Sequence, residues 1–353
     1  VIRPVLVCLL LWAQTYAALA ADHGVILLYH RITGEGPAAT RVTPAQFERH
    51  LDWLNDNGFK VLPLSQLLDD LFERGETQEN AVAITFDDAY VSVYQEAFPR
   101  LRERDMPFSV FVATEAVDKG YGHYLDWGQI AEMQQSGLVE VGPHSLTHAH
   151  LEQRRTGDSQ GDWEKRVSQE IAGSMKRLQA RLPQAPIKVF AYPFGEYSAA
   201  TLELLKKMGL RGLAQQSGAV GVASHAQRIP RFAMATGYDE LERLATSLRA
   251  RPMPVQTEEA QPFFLDVGAS HPASFRLTLR EGELVPATVS CFSSTGATLE
   301  TASQSNDLTV SLPPLAAGRN KINCTAATGR KGEFYWYSRL WTLADEAGSW
   351  LEQ

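Results

Sequence analysis

Ala81-Val82-Ala83-Ile84-Thr85-Phe86-Asp87-Asp88 is a short apolar run that stops on two carboxylates. Its length, its β-branched content and its polar end read as a buried strand over Val82–Thr85. Asp87 and Asp88 would then stand at the strand's C-terminal end. Similar runs occur at Val25–Tyr29, Phe59–Leu62, Phe108–Ala113, Val139–Gly142, Val189–Tyr192, Gly212–Gln215 and Phe232–Ala235. Helical patterns separate them. Thr43-Pro44-Ala45-Gln46 reads as a capping box with proline at the first helical position. Phe47, Leu51 and Leu54 follow at helical spacing, and Gly58 suits the stop. Ser65 and Ser198 are candidate N-caps, and Gly209 a candidate stop for the second of these helices. Seven or eight β/α units in about 210 residues favour an α/β fold of the deformed β/α barrel type. An open doubly wound sheet is the alternative, but Tyr29-His30-Arg31 is not the glycine-rich turn such a sheet carries after its first strand.

Outside that core the chain changes character. Residues 1–20 read as a signal peptide: Arg3, then the apolar Val5–Trp12, then Ala18-Leu19-Ala20 as a cleavage site. An uncleaved anchor is the alternative, although the run is short for a bilayer. No stable membrane span is expected after cleavage, and the protein is expected to be exported, periplasmic or secreted. The catalytic domain is expected over 21–250. Pro252, Pro254 and Pro262 mark 251–262 as a linker. Beyond it Phe275, Leu277 and Leu279 alternate with polar residues, as do Leu308, Val310 and Leu312. That period of two predicts a small all-β sandwich domain over 263–345, with 346–353 as a tail. Cys291 and Cys324 both fall in it; export permits a disulfide between them, two buried free thiols being the alternative. Phe334-Tyr335-Trp336-Tyr337 would send Phe334 and Trp336 to one face and Tyr335 and Tyr337 to the other, as a sugar platform or as ordinary core. The net charge of −8 argues against nucleic acid as a partner.

Three polar clusters end predicted strands: Thr85-Phe86-Asp87-Asp88, His144-Ser145-Leu146-Thr147-His148 and Tyr192-Pro193-Phe194-Gly195. Barrel active sites are assembled from the ends of different strands on that face. His144 and His148, on one helical turn, could chelate one metal, and Asp88 could complete a two-histidine, one-carboxylate set. Asp87 would remain free as a base. Taken singly, a His-x-x-x-His pair is more often surface polarity, and paired aspartates are more often helix caps.

These three motifs resemble those of the polysaccharide deacetylase (NodB-homology) family, in the branch with biofilm poly-N-acetylglucosamine deacetylases. Leu28-Tyr29-His30-Arg31-Ile32, Pro44-Ala45-Gln46-Phe47 and Trp127 also fit, so the resemblance covers roughly 25–235. It implies a divalent metal, zinc first, held by Asp88, His144 and His148. It also implies Asp87 as general base on the attacking water, and the Phe194 backbone N–H as part of the oxyanion hole. Two positions depart from the family pattern. The arginine expected two residues before Pro193 is Ala191, and Arg231 is the candidate to take its place beside Asp87, a surface salt bridge being the alternative because strand starts usually lie at the opposite face of a barrel. The Leu-x-His that supplies the general acid is not evident, and His225 is the nearest candidate by chain order. His30, Trp127 and Tyr192 are candidates to line the substrate cleft. His123 and His150 read as ordinary surface histidines.

The expected function is metal-dependent hydrolysis of acetamide groups on N-acetylhexosamine units of a polysaccharide. An O-acetyl esterase, or a carbohydrate-binding protein with an impaired site, are the alternatives.

Overall fold

The computed structural model describes residues 20–155, 157–265 and 270–344. The expected signal peptide, apart from Ala20, and the expected tail lie outside them.

The N-terminal half is mixed α/β. Its principal strands are β1 (His23–Tyr29), β2 (Ala81–Phe86), β3 (Phe108–Val112), β4 (Val139–Pro143), β5 (Val189–Ala191), β6 (Arg211–Leu213) and β7 (Phe232–Ala233). β1, β2, β3 and β4 pair in parallel, in that order. β5 and β6 pair in parallel with each other. Ile187 N–H bonds to the Val141 carbonyl at 2.9 Å, which ties the approach to β5 onto β4. Leu213 bridges to Ile229, and β7 returns in parallel onto β1. The strands are apolar on both faces, as parallel strands covered by helices must be: every residue of β2 and β3 is buried.

The helices that matter here are α1 (Pro44–Asp56), α2 (Trp127–Gln135), α3 (Gln160–Arg181), α4 (Ala199–Lys207) and α5 (Leu241–Leu248). Thr43 caps α1 by accepting from Gln46 N–H, but only half of the expected capping box forms. The Gln46 side chain turns instead to the Asp239 carbonyl. Ser198 caps α4 as expected. Ser65 caps nothing; it lies inside the helix Leu64–Asp69, where its N–H and hydroxyl bond to Glu140.

The C-terminal half begins earlier than its periodicity suggested. β8 (Ala250–Pro252) pairs with Phe334–Trp336, and β9 (Val255–Glu258) pairs with β10 (Ser274–Leu279). The stretch 251–262 is therefore not a free linker. Pro252 and Pro254 disguised it, and proline is tolerated because β8 and β9 are edge strands. β11 (Ser290–Ser293), β12 (Asp307–Ser311), β13 (Gly318–Ala327) and β14 (Phe334–Leu343) complete the framework. One sheet runs β8-β14-β13-β11 and the other β9-β10-β12, each extended by short strands. Phe275, Leu277, Leu308 and Val310 from one sheet share a core with Ile322, Cys324 and Trp341 from the other.

Cys291 and Cys324 are direct neighbours across β11 and β13 and form a disulfide. With a sequence separation of 33, the cross-link restricts the unfolded chain by about 3–4 kcal/mol in the loop-entropy picture. Tyr337 stacks on Phe275 and Trp336 meets Phe232 edge-on, so the aromatic run supplies core and interdomain packing.

Glu152, buried beside α4, accepts from Ser198 N–H and from the Thr201 hydroxyl. Burial pushes its pKa up to about 7 against those hydrogen bonds. A carboxyl whose folded pKa exceeds its unfolded value favours folding most at low pH, and that advantage fades as pH rises from about 4.5 to about 7. Glu152→Gln is therefore expected to raise stability at pH 8 by about 1–3 kcal/mol and to leave it unchanged near pH 4. Thermal melts at both pH values check this; an equal gain at both would refute it.

Candidate metal and catalytic centre

The end of β2 turns sharply. Asp88 and Ala89 both adopt left-handed backbone, with φ of 72° and 62°. The turn separates the two carboxylates: Asp87 faces inward and is fully buried, while Asp88 faces the loop after β4. That loop is not the helical turn its His-x-x-x-His spacing suggested. Ser145 and His148 have φ of 66° and 59°. The loop is held by Glu170 on α3, which accepts from the N–H groups of Leu146 and Thr147 at 3.1 and 3.0 Å. His148 N–H bonds to Ser145 Oγ at 2.9 Å.

His144 Nε2 and His148 Nε2 lie 3.2 and 3.0 Å from Asp88 Oδ1. All three ligand atoms fall within 4.8 Å of one another. Asp88 Oδ1 is buried and has no well-aligned hydrogen bond. The His144 Nδ1 lies 2.8 Å from the Ala191 carbonyl, which fixes that nitrogen as the N–H and turns the Nε2 lone pair to the cluster. Two imidazole lone pairs and one carboxylate oxygen aimed at one point fit a divalent cation. Burial alone would raise the Asp88 pKa, but His144 and His148 hold it well below the usual carboxylate range.

Asp87 is matched to a different partner. The Arg231 guanidinium donates to Oδ1 at 2.8 Å and Oδ2 at 2.7 Å, and both side chains are wholly inaccessible. Arg231 also donates to Thr85 Oγ1 and, through Nε, to the Ala214 carbonyl. Its guanidinium is thus locked in one plane. Burial pushes the Asp87 pKa up, but Arg231 outweighs it and the net shift is downward. Arg231 lies just ahead of β7 and reaches inward from there.

His30, one residue beyond β1, is half-buried. Burial pulls its pKa down, while Asp88 and Asp87 pull it up, so it lies within electrostatic reach of both. Phe194 has φ of 57° and packs its ring against His148 at 4.6 Å and flat on His150 at 3.8 Å. His150, read from sequence as an ordinary surface residue, pairs with the buried Glu196 at 2.9 Å.

Three expected site residues fall elsewhere. His225 lines a separate cavity of about 370 Å³ with Arg228, Arg251 and Tyr335; chain order, on which its choice rested, does not bring it to the cluster. Tyr192 is fully buried and its hydroxyl donates to the Gln227 carbonyl, so it is a core residue rather than a cleft residue. The Trp127 indole donates to Asp118 and packs on the core at the start of α2, so it offers no sugar platform at the cluster. The spacing Leu-x-His is present after all, as Leu28-Tyr29-His30. It was overlooked because it lies at the opposite end of the domain from where the family order places it.

The site thus sets a buried carboxylate locked by arginine beside a second carboxylate and two imidazoles that converge on one point. Residues 74–213 match the polysaccharide deacetylase family. The chain is 31% identical over 195 residues to YxkH of Bacillus subtilis, covering 55% of this chain and 65% of that protein. It is 28% identical over 195 residues to a poly-beta-1,6-N-acetyl-D-glucosamine N-deacetylase of Staphylococcus aureus, covering 54% of this chain and 67% of the relative. The chain thus spans about two thirds of the length of these curated relatives. Among solved structures, the deacetylase PplD of Streptococcus pyogenes, in complex with acetate, superposes with a TM-score of 0.58 at 25% identity, over 64% of this chain and 98% of that one. The family match begins after His30 and ends before Arg231, so geometry alone brings those two residues to the site.

Proposed function

We propose that the chain hydrolyses acetamide groups on N-acetylhexosamine units of a polysaccharide, with a divalent metal, zinc first, held by Asp88, His144 and His148. The observation that carries the reading is the convergence of two imidazole nitrogens on a buried carboxylate oxygen that lacks an aligned hydrogen bond. A metal bound there would polarise the acetyl carbonyl and lower the pKa of the attacking water.

The remaining work falls to the protein. Asp87 accepts the water's proton on a carboxylate oxygen; each oxygen keeps a lone pair beyond the one Arg231 occupies. Arg231 is the positioning residue that holds this carboxylate in one orientation. His30 delivers a proton to the departing amine, the role first sought at His225. The Phe194 N–H, in its left-handed turn, helps hold the oxyanion. We read the strand ring as a deformed β/α barrel over about 21–250 and the two C-terminal sheets as a sandwich. Export fits both the disulfide and a polymeric substrate outside the cell. Among the described residues no helix is long and apolar enough to cross a membrane.

The test is acetate release from N-acetylglucosamine oligomers and from an O-acetylated xylan, before and after chelation and with zinc restored. Release from the N-acetylated oligomers, lost on chelation and regained with zinc, is expected. Release from the O-acetylated polymer alone would turn the reading to an esterase.

A further inference from the structure

The two halves of the molecule do not simply abut. The face of β13 that carries Arg319, Lys321, Asn323 and Thr325 is turned towards the strand ring, because Ile322, Cys324 and Ala326 take the opposite face into the core. These four residues line a cleft of about 1190 Å³, which His30 also lines. That exceeds the roughly 300–1,000 Å³ typical of pockets for drug-sized ligands and suits a polymer. Arg319 bridges the two sites: it donates to the Phe194 carbonyl and to Gln215 Oε1.

Lys321 brings a positive charge to this cleft. Lys321 makes no ion pair among the described residues; its nearest acceptor is the Gln215 carbonyl at 3.4 Å. Burial, then Arg319 and Arg243, push its pKa down to about 8, and no carboxylate pulls it back. Arg243, on α5 at the rim, has its guanidinium 4.3 Å from the ring of Tyr238, which is 50% exposed. Glu240 and Glu242 also line the cleft, but as exposed rim residues, and Glu196 acts on Arg319 rather than on Lys321. A desolvated lysine held beside two arginines is costly unless something anionic completes it. A deacetylated, cationic polymer would meet repulsion there.

We propose that this cleft binds an anionic strand of the substrate, with Lys321 as the principal contact for a carboxylate or phosphodiester carried near the acetylated sugar. This rests on the deacetylase reading and narrows its substrate to an acidic N-acetylated polysaccharide. Tyr238 offers an exposed ring for a sugar face, and Arg319 couples cleft occupancy to the Phe194 turn.

Calorimetry on the full chain tests it with three probes: neutral chitohexaose, a hyaluronan hexasaccharide as the carboxylate probe, and a glycerol-phosphate oligomer as the phosphodiester probe. At least one anionic probe should bind more tightly than chitohexaose, and added salt should weaken it; which one does so identifies the anion. Lys321→Gln should weaken that probe roughly tenfold, the scale of one charge-assisted hydrogen bond. Chitohexaose binding should stay within about twofold on the same scale. Anionic probes that bind no better than chitohexaose would overturn the proposal, as would a Lys321→Gln variant that weakens all probes equally. Acetate release from chitohexaose by the wild type reports on the deacetylase reading separately, since it does not depend on the anion contact.

Discussion

Asp87→Asn is expected to reduce acetate release at least a hundredfold, and up to about ten-thousandfold, while metal content stays at the wild-type level. An amide in place of the carboxylate cannot take a proton from water, yet it alters none of the three atoms that converge near Asp88. His144→Ala and His148→Ala each delete one of those atoms, and Asp88→Asn replaces the anionic carboxylate by a neutral, weaker amide donor, so each should lose metal and activity together. The substitution also leaves the buried Arg231 facing a neutral amide, so stability should drop as well. Melting curves therefore accompany metal analysis and acetate assays, to show that the inactive variant is folded. If Asp87→Asn loses metal to the same extent as Asp88→Asn, the division of labour between the adjacent carboxylates is wrong.

Arg231→Ala is expected to be the most destabilising single change at the site. It removes the guanidinium that binds both oxygens of a wholly buried carboxylate. Breaking a buried pair in this way costs about 3–5 kcal/mol. Turnover should fall roughly ten- to a thousandfold without metal loss, by analogy with lost support behind a ligand. The sign of the pH effect follows from the balance at Asp87. In the wild type its pKa is below the unfolded value, so it contributes stability above that value and loses it as pH falls through the folded pKa. Without Arg231 the burial contribution dominates, the pKa rises, and the acidic limb of the rate profile moves upward. Arg231→Lys should recover the charge but not the two-pronged geometry, and so only part of the rate. A variant with wild-type turnover and an unmoved acidic limb would remove Arg231 from the mechanism.

The contrast between Arg231 and His225 shows what could be read in the sequence. Strand positions were legible because the apolar runs are bounded by polar clusters, and the clusters at Asp87, His144 and Phe194 each close such a run. Arg231 was reachable because a buried base demands a cation and Ala191 could not provide it. His225 lies in a separate cavity because order along the chain does not set position in the fold; the Leu-x-His spacing whose histidine lies within electrostatic reach of Asp87 and Asp88 is Leu28-Tyr29-His30. The left-handed turns at Asp88 and His148 were not legible, since neither residue type requires positive φ. The cleft was not legible either: β13 alternates as any half-buried strand does, and only the assembled molecule shows that its polar face is turned inward.

The partner of Asp87 lies 144 residues downstream. β1 waits longer still for its second edge: β2 is available early, but Val220–Gly221 and then β7 pair with the other edge only far along the chain, Phe232 against Leu27. An emerging chain therefore exposes an apolar strand edge, and would have to bury an unpaired carboxylate, until Arg231 and β7 have been made. Such long-range closure slows folding and leaves the intermediate prone to aggregate. The partner of Asp87 thus also acts as a late latch: both edges of β1 are covered, and the buried carboxylate is paired, only once Arg231 and β7 are present.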